Sequence, residues 1–178
     1  MNAWYDMTAP AERDLLVGFY DLNGYVKYAR TADPLVVFSL LAGYFDLTAG
    51  QIERAGGKFI KAIGDAGLAA FPAEHADTGV RAFLDVQRKG DVWLRDNGYP
   101  GRAQIKLNIG PVACGPLGGH IKPFDVIGTT VNIAATLTGR GFTMTPAVFR
   151  ALEPETRKLF KKHTPPISYI ALSDTHRD

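Results

Sequence analysis

The stretch KFIKAIGDAGLAAF (residues 58–71) determines the fold that we expect for this chain. It contains two short apolar runs separated by Gly64-Asp65, a dipeptide typical of a hairpin turn, and Pro72 follows it. The sequence therefore predicts a β-hairpin. Two charged residues stand out in this apolar segment: Lys61 within the first strand, and Asp65 at the turn.

Helical patterns lie on both sides of the hairpin. Upstream, Asp33-Pro34 combines an N-cap residue with proline at the first helical position, and apolar residues recur at helical spacing until about Ala55, before Gly56-Gly57. Downstream, a second pattern covers residues 73–97, with a break expected near Gly90. The other predicted elements are strands at residues 15–22 and 104–119, an edge strand within residues 163–172, a helix at residues 129–140 and a short helix from Thr145-Pro146.

The predicted order of elements is β-α-β-β-α-β-α-β. Strands and helices alternate, with one hairpin between them, which indicates an α+β fold of the ferredoxin-like kind with one sheet and its helices on one face. The chain has 178 residues and shows no repeat, linker or low-complexity segment. We therefore predict a single domain over residues 1–178.

The composition is that of an ordinary globular protein, with 46% hydrophobic and 21% charged residues. The formal net charge is +2, from 20 basic and 18 acidic residues, so we expect no nucleic-acid partner. Cys114 is the only cysteine, which favours a reducing compartment and a packing role for the thiol. No signal peptide is visible, and the longest apolar run is shorter than a membrane span. We therefore expect a cytoplasmic protein with no membrane partner.

Two acids are placed where strands end. Asp21 ends the first predicted strand and Asp65 lies at the hairpin turn. In a ferredoxin-like sheet the first strand lies beside the hairpin, so both carboxylates can converge at one end of the sheet. Two carboxylates repel unless a cation lies between them, and Mg²⁺ commonly takes one or two protein carboxylates together with phosphate oxygens. Taken singly, each Asp also fits a turn or capping role.

The segment LNGY follows Asp21 directly. Gly24 allows backbone amides to approach an anion at the turn between strand and helix, and Asn23 lies beside it. The alternative is that Gly24 only turns the chain.

Three segments resemble the central motifs of the class III nucleotidyl cyclases, the adenylyl and guanylyl cyclases. They are FYDLNGY, GGKFIKAIGDAGLAAF and FDVIGTTVNIAATL, and the resemblance extends over about residues 15–172. The family fold is ferredoxin-like, in agreement with the order of elements. The resemblance implies conversion of a nucleoside triphosphate to a 3′,5′-cyclic nucleotide and pyrophosphate.

The resemblance also implies a metal centre and a dimer. It places two divalent metal ions, Mg²⁺ or Mn²⁺, on Asp21, Leu22 and Asp65. In the family, the active sites lie at a dimer interface, with metal-binding acids from one protomer and base-recognising residues from the other. One chain that carries both sets implies a homodimer with two sites.

Residues for the substrate follow from the same motifs. Lys61 and Asp125 match the pair that recognises adenine, since an ammonium can donate to a ring nitrogen and a carboxylate can accept from the exocyclic amine. Asn132 matches the asparagine that positions the ribose. Of the two lysines in KKH, Lys162 is assigned to the triphosphate rather than Lys161. Without the resemblance, a solvent-exposed strand lysine and turn or surface polar residues would explain these positions.

One position departs from the family pattern. Family members usually carry an arginine four residues after the motif asparagine, where it stabilises charge on the transferring phosphoryl group, and this chain has Thr136 there. A guanidinium in that role contributes several kcal/mol of transition-state stabilisation (roughly 3–4 kcal/mol). Arg140, one helical turn further on, is our candidate replacement.

Several functions remain open at this point. An adenylyl cyclase is favoured by Lys61 and Asp125, while some stand-alone members of the family are pyrimidine cyclases that make cyclic UMP or cyclic CMP in bacterial antiphage defence. A dimer that binds nucleotide but turns it over poorly is favoured by Thr136. An unrelated ferredoxin-like interaction domain is the remaining alternative, because that fold hosts many functions.

Overall fold

The computed structural model describes residues 3–164 and 166–174. Within these residues the chain forms one sheet in the order β2-β3-β1-β4-β6-β8-β7, with β5 paired to β4. The strands are β1 (Ala11–Leu22), β2 (Lys58–Ile63), β3 (Ala66–Pro72), β4 (Ala103–Pro116), β5 (Phe124–Ile127), β6 (Phe142–Met144), β7 (Phe160–His163) and β8 (Ser168–Ala171). The helices are α1 (Tyr25–Ala29), α2 (Pro34–Arg54), α3 (Ala76–Asp96), α4 (Thr129–Thr136), α5 (Pro146–Arg150) and α6 (Pro154–Arg157). The predicted α+β architecture is confirmed.

The centre of the sheet is covered on both of its faces. Alternate residues of β1 belong to two separate cores, with Leu16 and Tyr20 in one and Leu15 and Val17 in the other. Helices α2 and α3 cover the first face. Strand β5, helix α4 and the N-terminal segment around Trp4 cover the opposite face, which we call the second face. The prediction that all helices lie on one face was therefore wrong for α4.

Helix α2 forms where the local signals predict it. The Asp33 side chain accepts a hydrogen bond from the Leu35 N–H at 2.8 Å, and Pro34 occupies the first helical position. Gly56 follows the helix in the left-handed conformation at φ +86°. Among the described residues, α2 is the one helix whose length and composition would allow it to cross a membrane. The helices of protein cores also meet that criterion, and α2 buries Leu40, Tyr44 and Ile52 against the sheet.

Several predictions of local secondary structure were wrong. Helix α3 is unbroken, because Gly90 is buried against the Tyr44 ring and provides close packing of α3 on α2 rather than a break. Helix α4 ends at Thr136 instead of residue 140, where the poor helix formers of TLTGRG begin. The segment FDVI is strand β5, and β6 was missed as well.

The predicted C-terminal edge strand is also different. Strand β8 pairs with both β6 and β7, so β7 forms the edge of the sheet. Part of that prediction, Pro165, lies outside the described residues. The expectation of a packed thiol is confirmed, since Cys114 is buried with its Sγ atom 3.8 Å from the Met7 Sδ atom.

Candidate active site

Asp21 and Asp65 come together at one end of the sheet. The register between β1 and β3 places Tyr20 opposite Gly67, so the end of β1 lies beside the β2–β3 turn. The Leu22 N–H donates to Asp21 Oδ1 at 2.8 Å, which orients that carboxylate. Burial and the adjoining Asp21 carboxyl raise the pKa of Asp65 to about 6. In the absence of a cation, burial and the neighbouring Asp21 carboxyl therefore disfavour ionisation of Asp65.

The chemistry of these donors fits divalent cations. A carboxyl whose pKa is raised by burial and by a second carboxylate is stabilised in its charged form by an added positive charge. The Leu22 side chain is buried, so only the backbone carbonyl of this residue could be a ligand. The described part of the chain contains no group of three His, Cys, Asp or Glu side chains suited to a metal. The remaining ligands would therefore be water and substrate phosphate oxygens, as Mg²⁺ commonly uses.

Lys61 and Asp125 form an ion pair between β2 and β5. The Lys61 Nζ atom lies 2.5 Å from Asp125 Oδ2, and the Asp125 side chain is 13% exposed while that of Lys61 is 45% exposed. The Val126 N–H donates to the other carboxylate oxygen at 2.8 Å. The pair thus has an oriented, mostly buried acceptor and an accessible donor.

A β-bulge places Lys61 on the face where Asp125 lies. Phe59 pairs with Ala69 and Lys61 pairs with Leu68, so Ile60 is an extra residue in β2. Ile60 lies on the second face. Without the bulge, regular strand alternation would therefore put Lys61 on the opposite face. With it, Lys61 shares the second face with Leu68.

Asn132 and Thr136 lie on the exposed side of α4, one helical turn apart. The Thr136 Oγ1 donates to the Asn132 carbonyl at 2.8 Å, so this hydroxyl is engaged by its own helix. Ala134 packs α4 into the core of the second face. The helix therefore presents an amide but no cation at these two positions.

The turn after β1 is held by backbone bonds. Gly24 has φ +82°, a conformation that favours glycine, and the Asn23 N–H donates to the Arg102 carbonyl at 2.9 Å. The Tyr99 hydroxyl donates to the Asn23 carbonyl at 2.9 Å. Helix α1 has only five residues, so its dipole contributes little to the anion site expected at its N-terminus. Asn23 itself is exposed beside the carboxylate pair.

Arg140 and Lys162 lie outside the helix that carries Asn132. Because α4 ends at Thr136, the helical spacing that suggested Arg140 as a replacement does not exist. Arg140 lies in the following loop and lines a cavity with Asn23 and Arg102. Lys162 is exposed on β7, at the sheet edge opposite to the β2–β3 hairpin, and can join the carboxylate pair only from a second protomer.

Sequence reasoning missed Arg102. The signal was available in the stretch RAQIKLN (residues 102–108), where polar residues alternate with core residues. The side chains of Ala103 and Ile105 are buried, and Gln104 pairs with Asp21 across the sheet. This alternation could have placed a cation two residues before Gln104 at the same end of the sheet as the carboxylate pair.

Known proteins resemble this chain in sequence and in fold. The model of the adenylate and guanylate cyclase catalytic domain matches residues 7–163. An adenylate cyclase of Anabaena cylindrica is 28% identical over 75% of this chain and 28% of its own length. An adenylate cyclase of Streptomyces coelicolor is 30% identical over 71% of this chain and 30% of its own length. The chain thus spans less than a third of either relative.

Solved structures show the same architecture. A bacterial light-regulated adenylyl cyclase superposes with a TM-score of 0.80 at 23% identity, over 93% of this chain and 54% of that one. At this identity the likeness concerns the fold alone. The match over residues 7–163 establishes that the chain belongs to the adenylate and guanylate cyclase catalytic domain family.

Proposed function

We propose that this protein is a nucleotidyl cyclase that converts a nucleoside triphosphate, with ATP as the preferred substrate, to a 3′,5′-cyclic nucleotide and pyrophosphate. The observation that carries the proposal is the Asp21–Asp65 carboxylate pair, in which burial and mutual repulsion raise the pKa of Asp65 to about 6. Two close carboxylates repel each other and cost stability unless a bound cation compensates their charge. Membership of the cyclase family supplies the reaction class.

The reaction requires little covalent chemistry from side chains. The ribose 3′-oxygen attacks the α-phosphorus, the bond from that phosphorus to the bridging oxygen of the β-phosphate breaks, and the hydroxyl proton passes to solvent. Asp21, Asp65 and the Leu22 carbonyl would hold two divalent cations. When bound, these cations supply Lewis acidity at the 3′-hydroxyl and charge neutralisation at the pyrophosphate leaving group. Asn132 would position the ribose from α4.

The preference for adenine rests on the Lys61–Asp125 pair. The exposed ammonium can donate to a ring nitrogen of the base, and the Asp125 carboxylate can accept from the exocyclic amine. A guanine offers a carbonyl oxygen and a ring N–H at the same edge, which reverses the order of donors and acceptors. The observed pair therefore favours ATP over GTP.

A homodimer completes the site in this proposal. Three exposed isoleucines lie beside predicted substrate residues: Ile63 near Lys61, Ile127 near Asp125, and Ile133 next to Asn132; their exposed fractions are 48%, 56% and 43%. Exposed apolar side chains around a polar site are typical of protein interfaces. A second copy of the chain, seated on these residues, would bring its own Lys162 to the carboxylate pair.

A cyclase-like dimer that binds nucleotide with poor turnover is the second candidate. It is favoured by Thr136, whose hydroxyl is bonded to the Asn132 carbonyl and provides no positive charge to the phosphoryl group. Loss of such a charge without replacement slows phosphoryl transfer by about 10³-fold or more.

Direct turnover distinguishes these functions. The purified protein is incubated with Mn²⁺ and ATP, GTP, CTP or UTP separately, and cyclic products are identified by chromatography and mass spectrometry. Asp65→Asn tests the carboxylate pair, and Asp96→Asn, on an exposed ion pair of α3, is the matched control.

Each outcome of this assay is informative. Cyclic AMP from the wild type and from Asp96→Asn, with none from Asp65→Asn, supports the proposal. Cyclic UMP or cyclic CMP would support the pyrimidine cyclases and contradict the adenine preference. Nucleotide binding without any cyclic product would favour the binding module.

A further inference from the structure

A basic cavity lies at the same end of the sheet as the carboxylate pair. It has a volume of about 250 Å³ and is lined by Asn23, Arg102, Gln104, Arg140 and Asp174, among others. A space of this size is smaller than typical sites for whole drug-sized ligands and suits a compact group such as pyrophosphate. No substrate residue expected from the sequence motifs contributes a cation to it apart from Arg140.

The strand register connects the cavity to the metal-binding acids. Asp21 is directly opposite Gln104, so both side chains project from the same face of the sheet. The Asn23 N–H bonds to the Arg102 carbonyl at 2.9 Å and continues the β1–β4 pairing by one step. Asn23 and Arg102 therefore follow directly after Asp21 and its partner, within one protomer.

The loop that carries Arg140 is fixed to strand β4. The Ile105 N–H donates to the Gly141 carbonyl at 2.8 Å. Gly141 has φ +73°, and a Cβ atom there would lie 2.5 Å from Asp174 Oδ2. The same Asp174 oxygen accepts a hydrogen bond from the Phe142 N–H at 2.6 Å. The backbone on the C-terminal side of Arg140 is thus held against β4 and cannot shift freely.

The two arginines have charge available for a ligand. Within the described residues, neither Arg102 nor Arg140 takes part in an ion pair, and both side chains are exposed. Guanidinium groups bind phosphate oxygens through two parallel hydrogen bonds, which makes arginine well suited to a polyphosphate. The Asp174 carboxylate also lines the cavity, beside Gly141, and it accepts a hydrogen bond from the Phe142 N–H.

We propose that Arg102 and Arg140 bind the β- and γ-phosphates of the nucleotide whose metal ligands are Asp21 and Asp65 of the same protomer. The inference rests on the proposed function and names a phosphate subsite for it. In this arrangement the positive charge that binds the leaving pyrophosphate comes from the protomer that carries the metal-binding acids. Arg140 acts within its own protomer, and not from the helix that carries Asn132.

Mixed dimers test whether Arg140 acts with the acids of its own chain. Two differently tagged chains are co-expressed, and dimers that carry both tags are isolated. In one dimer, a chain with Asp65→Ala and Arg140→Ala is paired with a wild-type chain. In the other, an Asp65→Ala chain is paired with an Arg140→Ala chain. Both dimers contain the same two substitutions in total.

The proposal predicts different activities for these dimers. The first keeps one intact set of Asp21, Asp65 and Arg140 and should retain about half of the wild-type activity, since one of two equivalent sites survives. The second has no intact set and should be at least about tenfold less active than the first, the usual minimum for a lost cation on a phosphoryl group. Equal activities, or the reverse order, would overturn the proposal.

Binding of inorganic tripolyphosphate with Mn²⁺, measured by calorimetry, separates this inference from the proposed function. The wild type should bind, and Arg102→Ala and Arg140→Ala should each weaken binding at least about tenfold, with partial recovery in Arg140→Lys. Arg95→Ala on α3, whose partner is Asp96, should bind as the wild type does. Binding that depends on the arginines without turnover of any nucleotide would support the subsite and contradict the cyclase. Turnover with binding that is unchanged in both variants, or no binding by the wild type, would contradict the subsite.

Discussion

Lys61 contacts Asp125 across two strands that do not pair with each other, with 2.5 Å between Nζ and Oδ2. The contact depends on the bulge at Ile60, which turns Lys61 towards the face covered by β5. Lys61 and Asp125 are 64 positions apart in the sequence, and the segment between them includes β3, α3 and β4, so no local signal brings them together. The ion pair is thus a product of the whole sheet, and it holds the two groups that the proposed function assigns to the base.

Substitution of Lys61 should therefore change selectivity more than stability. The side chain is 45% exposed, so Lys61→Ala should alter the free energy of unfolding by less than about 1 kcal/mol, as for other exposed ion pairs. With the base donor lost, kcat/KM for ATP should fall about 10- to 100-fold, and the differences among the four nucleoside triphosphates should shrink. Steady-state kinetics with each nucleotide measures this. Lys58→Ala on the same strand, whose ion pair is with Glu53, serves as the control. An unchanged ratio of ATP to GTP turnover in Lys61→Ala would contradict the assigned role.

The carboxylate pair should make stability depend on pH and on metal. Because the folded-state pKa of Asp65 is raised to about 6, the folded protein holds a proton that the unfolded chain releases near pH 4, so stability falls as the pH rises from about 4 to above 6. Asp65→Asn removes this penalty and should raise the free energy of unfolding at pH 8 in EDTA by roughly 1–2 kcal/mol, after allowance for partial solvent exposure. At pH 4 the two proteins should be equally stable.

Divalent metal should reverse that comparison. At pH 8, Mn²⁺ should raise the Tm of the wild type in proportion to the logarithm of its concentration, and it should have little effect on Asp65→Asn. Thermal unfolding followed by circular dichroism, with and without EDTA, gives both results. A wild-type Tm that does not respond to Mn²⁺ would contradict a metal site at Asp21 and Asp65.

Local sequence signals predicted the elements whose ends are fixed by nearby residues. Asp33-Pro34 and Gly56 define α2, and Gly64-Asp65 defines the hairpin, because caps and turns act within a few residues. The predicted order of elements was therefore sufficient to predict the α+β fold. The proximity of Asp21 and Asp65 also followed, since it requires only that β1 and the hairpin be neighbours.

The features that were missed depend on distant pairing. Strand β6 has three residues and exists because it pairs in parallel with the residues of β4 around Lys106. The bulge at Ile60 is visible only when β2 is matched residue by residue to β3. The loop position of Arg140 depends on where α4 ends, and threonine and glycine propensities predict such an end only to within a few residues.

The exposed isoleucine of α4 tests the dimer. Ile133 is 43% exposed and lies next to Asn132, so Ile133→Asp should leave the monomer folded while placing a charge in the proposed interface. The dimer dissociation constant, measured by analytical ultracentrifugation, should rise at least about tenfold, and turnover should fall at concentrations where the wild type is dimeric. Val92→Asp, an equally exposed apolar position on α3, should change neither quantity. A fully active, fully dimeric Ile133→Asp protein would place the interface elsewhere.

Gly67 should be essential for stability, because it lies against the ring of Tyr20. A Cβ atom at this position would be 2.1 Å from Tyr20 Cζ, and Tyr20 is fully buried among Tyr44, Phe45 and Phe59. The ring has no space to move, so Gly67→Ala should lower the free energy of unfolding by about 3 kcal/mol, at the upper end of the range for overpacked cores. Urea denaturation at pH 7 measures the change.

Gly119→Ala is the matched control for that substitution. A Cβ atom at Gly119 would have no neighbour within 4 Å, and its backbone is not left-handed, so this substitution should be neutral or stabilising by less than about 1 kcal/mol. Because Gly67 pairs with Tyr20, the residue before Asp21, displacement of the hairpin should also separate the two carboxylates. Gly67→Ala should then lose Mn²⁺-dependent stabilisation along with global stability, whereas a variant that is less stable but responds normally to Mn²⁺ would show that the carboxylate pair tolerates movement of the hairpin.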